Sequence, residues 1–167
     1  MRCWPARRRA RRPKRLTDVL PSEPGSAASR GTPLSEADQE LIAAARAVLL
    51  RLHRPFWHTV AAALRGSDGR IWTGIHLGTT VGRLQVCAEA VALGRAVLEG
   101  DGTVATLVAV RHPKADEAER DVAVVSPCGA CREMIVDYSP DACIILPGPA
   151  GLVKLPVRAL LPLPYRR

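Results

Sequence analysis

Two short stretches carry the residues able to do chemistry. "VCAEAV" places Cys87 two residues ahead of Glu89, and "SPCGACRE" holds Cys128 and Cys131 as a C-x-x-C pair. Taken alone, that pair fits a redox dithiol as well as half of a zinc site. Cys87 adds a third thiol, and like Cys128 it stands where a helix should begin. Helix N-termini favour thiolates through the helix dipole and free N–H groups. Three thiolates fill three corners of a tetrahedral zinc site and leave the fourth open for water, the arrangement of catalytic rather than structural zinc. Glu89 then has a chemical purpose. Zinc makes hydroxide available near neutral pH, and a neighbouring carboxylate can carry the proton to a ring nitrogen and on to a leaving amine. On an ideal helix positions 87 and 89 lie about 200° apart, so only in the first turn do both border one pocket. Three thiolates and Zn²⁺ sum to −1, and Arg132, directly after Cys131, is the cation best placed by sequence to offset it. Two cysteines fall outside this set. Cys143 in "ACIIL" reads as a buried small residue, and Cys3 as an idle thiol in the N-terminal tail.

The elements that must position these residues follow from periodicity and turn residues. Ser35 and Asp38 resemble a capping box, and apolar residues at helical spacing run from Leu41 to Leu52, with Pro55 ending the helix. "TVAAAL" (59–64) and "RIWTGIHL" (70–77) flank an Asp68-Gly69 turn and predict a β-hairpin. A helix is expected over 87–100, with Gly100 as its stop. Strands are expected over 103–110 and 122–125, a helix over 128–138 and a strand over 142–146. The proline-rich C-terminus permits only a short helix around 157–161. Strands alternating with helices imply parallel pairing, and the hairpin adds one antiparallel pair. The expected fold is therefore a mixed sheet with helices on both faces.

Composition narrows the function classes. Of 167 residues, 47% are hydrophobic, enough for one domain with a real core. The formal charge is +8, but eight of the 24 Lys and Arg fall in residues 1–15, where no acid stands. That leaves 16 basic and 16 acidic residues over 16–167. A formally neutral body is not that of a protein gripping many phosphates, so nucleic acid is an expected partner only through the tail. Residues 1–33 are expected to be a disordered basic and Pro/Gly/Ser-rich tail, and residues 34–167 the catalytic domain. No apolar run is long enough to span a membrane. Five cysteines without an export signal suggest a reducing compartment and a cytoplasmic location.

The C-A-E and P-C-x-x-C stretches resemble the zinc-dependent cytidine deaminase superfamily in its three-cysteine form. The resemblance extends to "TVAAALRGSDGRIWTGIHL", "CAEAVALG", "VVSPCGACREMIVDY" and "ALLPLPY", about residues 35–165. It implies a three-layer α/β/α sandwich around a mixed five-stranded sheet, assembled as a dimer or tetramer. It further implies one Zn²⁺ per chain on Cys87, Cys128 and Cys131, with Glu89 as proton shuttle. The reaction would be hydrolytic deamination of a cytosine nucleoside to the uracil form, with release of ammonia. Ala88 and Tyr165 would stand on the substrate side, Tyr165 closing its own pocket or a neighbour's.

The departures from the family pattern concern the substrate. His76 and Gly78 occupy the positions of an Asn-x-Glu pair that holds sugar hydroxyls, His58 stands where the first strand usually carries an aromatic residue, and Ala90 replaces the Arg that commonly follows C-A-E. This points to a modified cytosine nucleoside, such as an antibiotic, with His58 and His76 near its sugar-side group. Three other classes compete. One is a polynucleotide deaminase tethered by the basic tail, another a zinc-stabilised module that binds a nucleoside without turning it over. The third, a thioredoxin-like redox protein, leaves Cys87 and Glu89 unexplained.

Overall fold

The computed structural model describes residues 32–165; the expected tail, with Cys3, otherwise lies outside them. Thr32 donates its amide to the Lys154 carbonyl at 3.0 Å, two residues ahead of the expected domain start. Ser35 caps α1 (Glu36–Leu52) in a full capping box. Its hydroxyl accepts the Asp38 amide at 3.3 Å, and the Asp38 carboxylate accepts the Ser35 amide at 3.0 Å. Leu41, Ile42, Ala45 and Leu49 form the buried stripe of this helix.

β1 (Val60–Arg65) and β2 (Ile71–Ile75) form the expected hairpin. A short 3-10 turn (Gly82–Leu84) leads into α2 (Ala88–Glu99), capped at its end by Gly100. β3 (Thr106–Arg111), β4 (Ala123–Val125), α3 (Gly129–Tyr138), β5 (Cys143–Gly148) and β6 (Gly151–Pro156) follow, then a 3-10 turn over Val157–Leu160. The sheet runs β2-β1-β3-β5-β6, with β4 also paired to β3. β5 takes Thr106 to Val108 of β3 in parallel, and β4 takes Ala109 to Arg111 antiparallel. Two strands thus share one edge end to end.

Two expectations are corrected here. The sheet has six strands rather than five, because Gly151–Pro156 turns back on β5 from Gly148 to Cys143. Only β3 and β5 pair in parallel. The polar loop between β3 and β4 contains no helix, so the chain returns antiparallel, whereas α3 provides the crossover that parallel strands need.

Alternation along the strands sorts the core onto two faces. Ala61, Ala63, Val108, Val110 and Ile145 pack with α1. Ala62, Leu64, Leu107, Ala109 and Ile144 pack with Ala92, Leu93 and Ala96 of α2 and Ile135 of α3. The result is the expected three-layer sandwich, with α2 and α3 side by side on one face. Gly74 on β2 fixes how closely α2 approaches. A Cβ there would overlap the Ala88 carbonyl oxygen and lie 2.5 Å from the Ala92 nitrogen. The first turn of α2 therefore rests main chain against main chain on the sheet.

Candidate active site

The N-termini of α2 and α3 meet on one face of the sheet. Cys87 is the N-cap of α2 and Cys128 the N-cap of α3, both in extended backbone and neither making a side-chain cap hydrogen bond. Cys131 lies one turn into α3 and is buried. The structure brings together the three thiols that sequence spacing singled out. Their sulfurs lie within 4.8 Å of one another, with Cys87 Sγ 4.0 Å from Cys128 Sγ. Tetrahedral zinc with Zn–S bonds of about 2.3 Å holds its sulfurs about 3.8 Å apart, so this spacing fits the ion. Cys143 stands half-buried at the start of β5 and is not one of the clustered thiols.

Electrostatics give the same answer. Burial, followed by the negative charge of Glu89, pushes the Cys131 thiol far above its ordinary range. Burial also raises Cys87; a hydrogen bond with Cys131 pulls it partly back, while Cys128 and Glu89 push it further up. Cys128 moves the other way. Burial opposes its ionisation, but the polar influence of the Cys131 amide and thiol, then of the Cys87 thiol, outweighs it. Without a cation the cluster thus favours one thiolate over three, because each negative charge raises the cost of the next. A divalent soft-ligand ion removes that conflict.

Glu89 sits at the second position of α2 and is only 5% exposed. Its carboxylate makes no hydrogen bond to another described residue, and its charge acts on all three thiols. The residue is largely buried, yet its carboxylate oxygens are not sealed off, so they are free to exchange a proton beside the metal-binding cluster. Arg132 braces the cysteine loop. Its guanidinium donates to the Pro127 carbonyl at 2.9 Å, the Leu160 carbonyl at 3.1 Å and the Ser126 hydroxyl at 2.8 Å. Among the described residues it has no carboxylate partner.

The other predicted residues separate into two groups. His58 and His76 come together: the His58 ring meets the His76 carbonyl at 2.8 Å through Nδ1. The His76 ring reaches Thr59 Oγ1 and Gln85 Oε1, each at 3.4 Å. Gln85 was not expected in this network; its one sequence signal is its place two residues before Cys87. Ala88 is fully buried, main chain included, with its carbonyl oxygen packed against Gly74. Tyr165 is 77% exposed, and its amide donates to Glu133 Oε1 at 3.0 Å.

Three cysteines and a carboxylate at paired helix N-termini of an α/β/α sandwich define a zinc hydrolase. Residues 35–146 match the family model described as the cytidine and deoxycytidylate deaminase zinc-binding region. The chain is 43% identical over 134 residues to blasticidin-S deaminase of Bacillus cereus, covering 80% of this chain and 96% of that one. It is 31% identical over 111 residues to a probable cytidine deaminase of Dictyostelium discoideum, covering 66% and 71%. The cytidine deaminase structure from Burkholderia pseudomallei superposes with a TM-score of 0.62 at 25% identity, covering 79% of this chain and all of that one. The chain belongs to the cytidine and deoxycytidylate deaminase family. It is a zinc-dependent hydrolytic deaminase of cytosine nucleosides.

Proposed function

We propose that the enzyme acts on a modified cytosine nucleoside in preference to cytidine, with blasticidin S as the representative compound. The observation that carries this reading is the pairing of a complete thiol–carboxylate cluster with an imidazole network, His58–His76–Gln85, directly ahead of Cys87. The 43% identity to the Bacillus cereus blasticidin-S deaminase supports it.

In this reading Cys87, Cys128 and Cys131 hold the zinc. When bound, zinc supplies Lewis acidity that lowers the pKa of water to near neutrality. Glu89 takes one proton from the attacking water and passes it to the ring nitrogen, then takes the second from the newly added hydroxyl and passes it to the departing amine. Water and the cytosine ring thereby give the uracil ring and ammonia, with no oxidant or reductant. Glu89 suits this work because the residue is largely buried while no hydrogen bond to another described residue holds its carboxylate, whose oxygens stay open toward the cluster side. Arg132, bonded to the Ser126 hydroxyl and the Pro127 carbonyl, offsets the negative charge of the centre. His58 and His76 meet the sugar-side group, while Tyr165 closes the pocket of its own chain or of a neighbour in a homo-oligomer. Such an enzyme serves antibiotic resistance more than pyrimidine salvage, in a cytoplasm reducing enough to keep the thiols free.

A metal assay with a deamination panel tests this reading. One zinc per chain is expected, with faster turnover of blasticidin S than of cytidine or deoxycytidine. Glu89→Ala should keep its zinc and lose about 10²–10⁴-fold in turnover. Efficient cytidine turnover with none of the analogue would overturn the substrate assignment.

A further inference from the structure

We infer that the turn from Arg54 to His58, docked on Gly78, is a positioning clamp that sets the pocket wall ahead of Cys87. The inference rests on the deaminase reading and concerns how this chain shapes its substrate side. Phe56 is the one non-glycine residue among those described with a positive φ, +67°. Left-handed backbone is unfavourable for a residue bearing a Cβ and persists only where the surroundings enforce it. The Phe56 ring does not enforce it, since the residue is 89% exposed. The main chain does. The Arg54 carbonyl accepts the Trp57 amide at 3.0 Å and the His58 amide at 2.8 Å, and the Trp57 carbonyl accepts the Gly78 amide at 2.8 Å.

Gly78 is what permits this docking. A Cβ at 78 would overlap the Phe56 carbonyl oxygen and lie 2.7 Å from Trp57 Cα and 2.9 Å from the Trp57 oxygen. These are main-chain atoms, so no side-chain rotation relieves the clash. The same strip of backbone leads to the metal cluster. Leu77 and Val86 exchange hydrogen bonds of 3.0 and 3.1 Å, and Val86 immediately precedes Cys87. His58 ties the turn to the His76 carbonyl at 2.8 Å, and the His76 ring meets Gln85. The turn thus grips residues 76–78 at two points, and those residues are paired with the segment that delivers Cys87. Main chain fills the space where a side chain at 78 would reach, so the substrate meets a wall made by the turn with its His58 and by His76 of the strip it grips.

Gly78→Ala tests the clamp. It should displace the turn and lower kcat/KM for the preferred substrate by about 10–100-fold, the scale of a misplacement near 1 Å. The loss should appear chiefly in KM, with zinc still at one per chain. The double variant Phe56→Gly with Gly78→Ala gives the turn a residue free to swing aside, and decides the matter if the single variant does not fold. It should fold, bind zinc and keep the raised KM. Wild-type kcat/KM in either variant, or a loss that follows zinc content alone, would overturn the inference. If wild-type protein binds zinc but deaminates nothing in the cytosine panel, the deaminase reading fails instead, and the two failures are distinct.

Discussion

The N-terminus of α1 and those of α2 and α3 solve the same problem in opposite ways. Every helix begins with amides that lack an intrahelical partner. In α1, Ser35 and Asp38 satisfy two of them reciprocally, and Asp38 also pairs with Lys154 at 2.8 Å, joining the helix to β6. In α2 and α3 the cap positions are Cys87 and Cys128, which make no such bond. A Ser, Thr, Asp or Asn cap contributes about 1 kcal/mol, and both helices forgo it. The first end is built to be stable. The other two are built to hold something, and their amides lie beside thiols that need help to ionise.

The sharpest way to break this contrast is Cys87→Ser. Zinc retention and deamination should both be lost, by metal analysis and ammonia release. The metal-free variant should melt no lower than metal-free wild type, and up to about 1 kcal/mol higher, because serine supplies the missing cap. A metal-free variant clearly less stable than metal-free wild type would show that Cys87 is a packing residue.

Asp38→Asn addresses the opposite end. Loss of the charged hydrogen bonds at this buried site should cost about 2 kcal/mol in chemical denaturation, while kcat per folded molecule stays unchanged. The pH dependence carries a definite sign. Burial works to raise the Asp38 pKa, but the hydrogen bond from Lys154 and those with Ser35 outweigh it, so the folded value lies below the ordinary one. A depressed folded pKa gives stability that is complete above the unfolded value of about 3.9 and lost as pH falls through the lower folded value. The denaturation curves of wild type and Asp38→Asn should therefore converge in acid and separate above about pH 4. Smallest in effect is Ser35→Ala, expected to cost about 1 kcal/mol and to lower Tm by about 3 °C with zinc content intact. Loss of zinc in that variant would mean that the two kinds of helix end are coupled through the sheet.

Much of the site could be read in the chain order. The helices that begin at Cys87 and Cys128, the hairpin at Asp68-Gly69 and the central strands all follow from local periodicity and turn chemistry. The sixth strand could not be read so directly. Gly151–Pro156 ends in proline and has no strong alternation, and it becomes a strand because the β5 edge is there to be paired. The direction of β4 is likewise a tertiary matter, since it depends on whether a connection crosses the sheet, and the loop from β3 does not.

By itself the sequence determined the chemical set: three cysteines and a carboxylate placed where helices start, with the thiols close to a metal-ligand count. Residue type and short spacing suffice for that, because helix initiation is local. Only the tertiary structure decided that the two helix ends converge until their sulfurs lie within 4.8 Å, and that Glu89 is buried beside them. It alone gave a reason for Gly78, whose missing side chain makes room for the turn carrying Phe56 and Trp57. These are facts of approach between segments distant in sequence, and main-chain contact of that kind leaves no periodic trace along the chain.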